Sequence, residues 1–284
     1  MVAFGSIRSC AVTTLATGLA ATWPAGGRVL VIEADPAGGT LAATSGWPPE
    51  PGLVSLAAAA RRGGEPSLVW EHCHELPGGA AVLAGPALGE QARSAWAMAG
   101  PLLARLGELD AAVLVDCGRL DPGSPAVALW ERADRAVVVA RPRLADLHAL
   151  ASWRQGRTLD RRVALVLVGD GPYPDAEVAQ ALGLEVLARL PWDPDAAEVL
   201  TMLPASDRRL RLAPLVRAVR TLADRLAAEA VAERGTNEPV PATGPSGRAV
   251  SVRSRLLRAW RADTEPRADA QPSSNGSVPE EASR

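Results

Sequence analysis

Phe4-Gly5-Ser6-Ile7-Arg8-Ser9-Cys10-Ala11-Val12-Thr13-Thr14-Leu15-Ala16 is the stretch on which the fold turns. An apolar run ends at Phe4, small residues follow, and a Thr-Thr pair opens a segment of helical period. A strand that feeds such a loop and then a helix start gathers amide N–H groups and a helix N-terminus at one spot, the arrangement that receives an anion. The next apolar run ends in Glu33-Ala34-Asp35-Pro36-Ala37-Gly38-Gly39, and a later one in Leu114-Val115-Asp116-Cys117-Gly118. One acid behind a buried strand is commonly a cap or a turn residue. Two in this order, each at a strand's carboxyl end, predict that Asp35 and Asp116 converge on the loop at residues 9–13, because crevices of open parallel sheets form there.

Outward from this region, short apolar runs alternate with longer segments of helical period, which predicts an α/β fold with a mostly parallel central sheet flanked by helices. Strands are expected over residues 2–4, 28–33, 80–84, 111–116, 136–140, 162–168 and 185–190. Helices are expected near 13–23, 89–106, 143–155, 176–182 and 210–232. In the last of these Leu212, Leu215, Val219, Leu222, Leu226 and Val231 recur roughly at helical spacing opposite Arg217, Arg220, Asp224 and Arg225, so this helix should close the core. Beyond it the composition shifts to Gly, Pro, Ser, Thr and Glu, which buries too little apolar surface to offset chain entropy. The expected organisation is one domain over 1–234 and a disordered tail over 235–284.

The opening stretch resembles the deviant Walker A motif of the ParA/MinD ATPases, Lys-Gly-Gly-Val-Gly-Lys-Thr-Thr, with Thr13 and Thr14 on its two threonines. Ile7 then stands at the signature lysine, Arg8 and Ser9 at two glycines, Cys10 at the valine, Ala11 at the third glycine and Val12 at the phosphate lysine. Residues 33–39 resemble the family's Asp-x-Asp-Pro-Gln-Gly segment, and residues 114–118 its Walker B strand. Ala133-Asp134 through Arg141-Pro142, and Leu190-Pro191-Trp192-Asp193, resemble later elements, so the resemblance spans about residues 1–230. It implies a P-loop NTPase fold and ATP with magnesium as cofactors. The loop from Arg8 to Thr14 would hold phosphate, Thr13 and Asp116 would hold the metal, and Asp35 would orient the attacking water or contact the metal's shell. Asp170 in Gly169-Asp170-Gly171-Pro172 stands where the family often carries an adenine-reading Asn and could accept a hydrogen bond from an exocyclic amine, although a turn role suits such a loop better.

The same correspondence removes chemistry. All 30 basic residues of the chain are arginine, so no lysine reaches a phosphate or neutralises charge during phosphoryl transfer. Arg8 is the loop's own candidate replacement, though its bulk sits where a glycine lets the backbone approach the phosphate. The expectation is therefore a ParA/MinD-like positioning or assembly protein, of the partition, septum-site or pilus and secretion type, with weak or lost ATP hydrolysis. The alternative is an active magnesium-dependent ATPase whose nucleotide-driven homodimerisation switches membrane, DNA or partner binding.

A net charge of -2 on 284 residues supplies no global field for nucleic acid, so any DNA contact would be local. The three cysteines, Cys10, Cys73 and Cys117, argue for a reducing compartment, and no uninterrupted apolar run approaches the roughly 18 residues that suggest a membrane span. A cytoplasmic chain is expected. Cys10, in a loop before a helix N-terminus, reads as a reactive thiol or simply a small residue that fits. Glu71-His72-Cys73-His74-Glu75 holds metal-ligand types, but without a second ligand pair a surface turn is expected. In the tail, residues 248–262 make a basic amphipathic island: on a helix Val252, Leu256 and Trp260 gather on one side and Arg248, Arg255, Arg258 and Arg261 on the other, with Leu257 at the edge. It reads as a helix docking on a protein partner or on the inner face of a membrane, or as disordered tail.

Overall fold

Period-two alternation along the strands assigns each side chain to one of two cores. In a computed structural model, which describes residues 1–121, 123–155, 157, 162–202 and 212–235, the elements run β1 (Val2–Ser6), α1 (Val12–Thr22), β2 (Arg28–Glu33), α2 (Leu41–Thr44) and α3 (Leu53–Ala60), then a 3-10 turn (Pro66–His72). There follow β3 (His74–Glu75), β4 (Ala81–Leu83), α4 (Gly89–Leu103), β5 (Ala111–Arg119), α5 (Pro125–Arg132), β6 (Arg135–Ala140) and α6 (Leu144–Arg154). The last elements are β7 (Val163–Val168), α7 (Asp175–Leu182), β8 (Glu185–Leu190), α8 (Pro194–Met202) and α9 (Pro214–Gly235). The sheet order is β3-β4-β2-β5-β1-β6-β7-β8. Among the described strands, only the pairing of β3 with β4 is antiparallel.

Ala3, Leu30, Ile32, Val113, Val115 and Val138 face the layer of α3 to α7. Val2, Phe4, Val31, Leu114, Val137 and Val166 face the layer of α1, α8 and α9. Strands buried on both sides read as continuous apolar runs, which is why each expected strand is present. Each expected helix is present too, with shifted ends. α4 stops short of residue 106 after Pro101, which lacks the N–H its last turn needs. α9 is described from Pro214, closes the second core with Val216, Leu222 and Leu226, and runs to Gly235, but Leu212, ahead of its first turn, and Val231, near its end, are exposed and not part of the expected core face. The tail island at 248–262 lies outside the described residues.

α2, α3, α5, α8 and β3 are findings of the structure that periodicity does not reveal. α3 reads Leu-Val-Ser-Leu-Ala-Ala-Ala-Ala, with no polar face to set a period. α5 and α8 are short and announced only by Ser124 and Asp193, whose side chains accept the N–H of Ala126 and Ala196, with a proline next to each cap. The surface turn expected at 71–75 is instead the end of the 3-10 turn and the start of edge strand β3.

Candidate functional site

Register assembles the site. Asp116 on β5 pairs with Phe4 on β1 and with Glu33 on β2, so the loop after β1, the segment after β2 and the end of β5 emerge side by side at the sheet's carboxyl edge. Thr13, in the first turn of α1, donates its hydroxyl proton to Asp116 Oδ2 at 2.5 Å, and the Gly118 N–H donates to Oδ1 at 2.9 Å. Asp116 is wholly buried. Burial pushes its pKa from the ordinary 3.8 to about 7, with the two hydrogen bonds opposing the rise and the charges of Glu33 and Asp35 adding to it.

Asp35 accepts the Ala37 N–H at 2.8 Å and lies directly on Gly118. Gly118 has φ +57°, and any Cβ there would overlap the Asp35 carboxyl. Glycine thus fits both the backbone turn and the approach of the second acid. Burial raises the Asp35 pKa, while the Ala37 N–H and the charge of Arg119 counter it. Glu33 plays a different part. Almost wholly buried, it accepts the N–H groups of Thr40 at 2.6 Å, Leu41 at 3.0 Å and Gly85 at 3.0 Å. It ties α2 and the segment after β4 to β2, and leaves Asp35 as the acid beside the loop.

Ser9 and Ala11 both have φ +47°, a left-handed conformation that costs a residue with a Cβ roughly 1 kcal/mol or more. These are two of the positions where the Walker-type motif has glycine. No side chain caps α1 and no acid occupies its first turn, so its positive end is left to other partners. One loop amide is already engaged, since the Cys10 N–H donates to Ser6 Oγ at 3.2 Å. Val12 is 5% exposed and packs into the core beneath α1, while Ile7 packs half-buried against the opposite core. Both lysine positions are therefore filled by apolar side chains that belong to the two cores.

Arg8 is exposed. The guanidiniums in contact with the loop come from elsewhere. Arg119 donates to Ser9 Oγ from Nε at 3.3 Å and from Nη2 at 2.7 Å. Arg141 stands against the Cys10 thiol and 4.5 Å above the ring of Trp192. Burial pushes the Cys10 pKa up and Arg141 only partly offsets it, so Cys10 is a packed thiol and not a thiolate nucleophile. Thr14 borders a cleft of about 210 Å³ that Arg141, Val168, Leu190, Trp192 and Leu215 also line. Asp170 is exposed and does not line that cleft. Ser6, Arg119 and Arg141 are not among the residues that the sequence marks as functional. Their only signal is position: the hydroxyl closes β1, and each arginine stands at the carboxyl end of a central strand.

The two histidines of 71–75 part company. His72 Nδ1 lies 2.8 Å from Ser55 Oγ, and His74 stacks on Trp47 with ring centroids 4.8 Å apart. Among the described residues no group of three or more His, Cys, Asp or Glu is placed to hold a metal ion, and no helix is long and apolar enough to cross a membrane. A second cavity, of about 740 Å³, opens at the amino-terminal edge of the sheet beside Trp23, Gly27, Leu109, Asp134 and Ala227, away from the residues predicted as a site.

The loop fits a phosphate-bearing ligand in backbone shape, and Thr13 with Asp116 fits a magnesium ion completed by other oxygen donors. At the two positions where the motif carries lysine, Ile7 and Val12 bring no charge to a phosphate.

No family model matches the chain, and no curated protein matches it. Solved structures do resemble it. A ParA family ATPase from Chlorobium tepidum TLS superposes with a TM-score of 0.59 at 16% identity, covering 78% of this chain and 98% of its own. The septum site-determining protein MinD complexed with Mg-ADP from Pyrococcus horikoshii OT3 gives a TM-score of 0.58 at 15% identity, covering 81% and 98%. The MinC:MinD cell division protein complex of Aquifex aeolicus gives 0.53 at 16%, covering 86% and 99%. The fold is that of the ParA/MinD P-loop NTPases.

Proposed function

We propose that this chain is a positioning or assembly component built on the ParA/MinD-like fold, in which ATP hydrolysis is weak or lost. The observation that carries the reading is Val12: at the phosphate-lysine position it is packed into the core, in a chain without a single lysine. Were magnesium nucleotide to bind, Thr13 and Asp116 would hold the metal and the amides of residues 8–13 the phosphates. The bound group supplies an electrophilic phosphorus, and neither lysine position offers the charge its transfer needs. What the fold retains is a rigid platform whose carboxyl edge and helical layers are free to be read by protein partners, by a second copy of the chain or, through the 248–262 island, by a membrane's inner face.

A second reading, the ATPase switch, is favoured by the convergence of Thr13, Asp35 and Asp116. Phosphate release from Mg-ATP by the full chain, beside Thr13→Ala, separates the two. The expected result is release indistinguishable between wild type and variant; turnover abolished by Thr13→Ala would establish the switch instead. DNA binding in a partition role would show as strongly salt-dependent affinity.

A further inference from the structure

Several arginines of the described chain are committed to carboxylates: Arg105 to Glu65 and Glu108, Arg135 to Glu185 and Glu229, Arg189 to Asp175, and Arg225 to Glu185 and Glu229. Arg119 and Arg141 are different. Arg119 gives its hydrogen bonds to the neutral hydroxyl of Ser9, with its charge felt by Asp35 but no carboxylate bonded to it among the described residues, and Arg141 faces a thiol and an indole ring. Among the described residues Arg141 Nε is buried with no acceptor, and an unsatisfied donor on a charged group is costly to keep.

Topology explains why these two meet the same loop. β1 lies between β5 and β6 in the sheet. Arg119 ends β5 and Arg141 directly follows β6, so the two guanidiniums approach the loop after β1 from its two sides and reach it at adjacent residues, Ser9 and Cys10. Between them lies the uncapped N-terminus of α1, with the left-handed backbone at Ser9 and Ala11.

We propose that Arg119 and Arg141 clamp a phosphate-bearing anion over residues 8–13, supplying from the neighbouring strand ends the positive charge that Ile7 and Val12 do not. Guanidinium forks match phosphate oxygens bidentately. Two forks on opposite sides of one loop suit two linked phosphates, so the ligand class is a pyrophosphate group, free or carried by a nucleotide. The clamp holds it without a metal ion, because the protein provides the counter-charge. It rests on the same loop geometry as the proposed function but not on the loss of turnover.

The test is calorimetric titration of sodium pyrophosphate, and separately of ATP, into the full chain in EDTA. Wild type is expected to bind. Arg119→Gln and Arg141→Gln each weaken binding about tenfold or more, Arg119→Lys and Arg141→Lys recover part of it, and Arg61→Gln, just beyond distant α3, changes nothing. Melting curves confirm that the Gln variants are folded, and the Lys variants carry the test for any that is not. Affinity greater for ATP than for pyrophosphate assigns the clamp to a nucleotide, and equal affinity assigns it to the pyrophosphate group alone. No binding by wild type at millimolar ligand overturns the clamp, as does binding that survives both Gln variants and disappears with Arg8→Gln. Phosphate release from ATP by the same proteins, measured separately in magnesium without EDTA, keeps the two readings apart: turnover defeats the proposed function and leaves the clamp standing, whereas absent binding in EDTA defeats only the clamp.

Discussion

The two halves of the candidate site have diverged unequally. On the strand-end side, Asp116, Asp35 and Thr13 stand together at the carboxyl edge of the sheet, with a 2.5 Å hydrogen bond from Thr13 to Asp116. On the loop side, residues 7–12 keep the backbone shape, with left-handed Ser9 and Ala11, yet both lysine charges are gone and Arg8 lies exposed. Shape and chemistry are therefore separable. Carboxylates wedged between central strands are held by the sheet itself, and Asp35 has glycine-sized room at Gly118. The loop side chains divide: Ile7, Cys10 and Val12 pack against the two cores, whereas Arg8 and Ser9 are exposed.

Val12→Lys puts this contrast under the greatest strain. If the loop were merely missing a charge, the substitution would restore turnover. Because Val12 is packed under α1, an ammonium there is expected to cost about 3 kcal/mol of stability without producing phosphate release. Chemical denaturation and a phosphate assay read the two effects; turnover with unchanged stability would show that the position still faces the cradle.

The carboxylate half is probed by pH. Asp116 is raised to about 7 in the folded chain from an ordinary 3.8, so between those values the folded state holds a proton that the unfolded state has released. Its contribution is complete below about pH 4 and is lost as pH rises through about 7. Glu33 and Asp35, also raised, act in the same direction. Asp116→Asn can keep the Gly118 N–H on its oxygen and give an N–H to Thr13. It is expected to melt several degrees above wild type at pH 8 and to fall less steeply between pH 5 and pH 8. An unchanged slope would mean that Asp116 stays ionised throughout.

The smallest expected effect tests the loop's shape. Ser9→Gly and Ala11→Gly relieve the left-handed strain, and each is expected to raise stability by up to about 1 kcal/mol. Loss of stability would mean that the side chains, Ser9 through its bond to Arg119 above all, hold the loop more firmly than its backbone conformation opposes it.

Much of this architecture is legible from residues alone. The central strands announce themselves because burial on both faces demands unbroken apolar runs, and α9 because one face of a long helix stays wet. Asp35 and Asp116 are legible from strand-end position, and Thr13 from its place behind the loop. α3 is not, because an alanine-rich helix under a loop has no polar stripe, and neither are α5 and α8, whose only marks are a cap and a proline. The surface turn expected at 71–75 is not there, because His72 ends the 3-10 turn and His74 opens β3.

Composition and local period suffice for the α/β class, the succession of the central strands, the strand-end acids and the absence of lysine chemistry, and all four can be read along the chain. Three-dimensional packing was needed to place Val12 in a core, to make Glu33 an anchor for loops while Asp35 faces the site, and to bring Arg119 and Arg141 to the loop from either side while Arg8 lies exposed. Those outcomes depend on which strands lie next to β1. Strand adjacency is set by packing across the whole sheet, between residues as far apart in the chain as Ser9 and Arg119, and no local pattern encodes it.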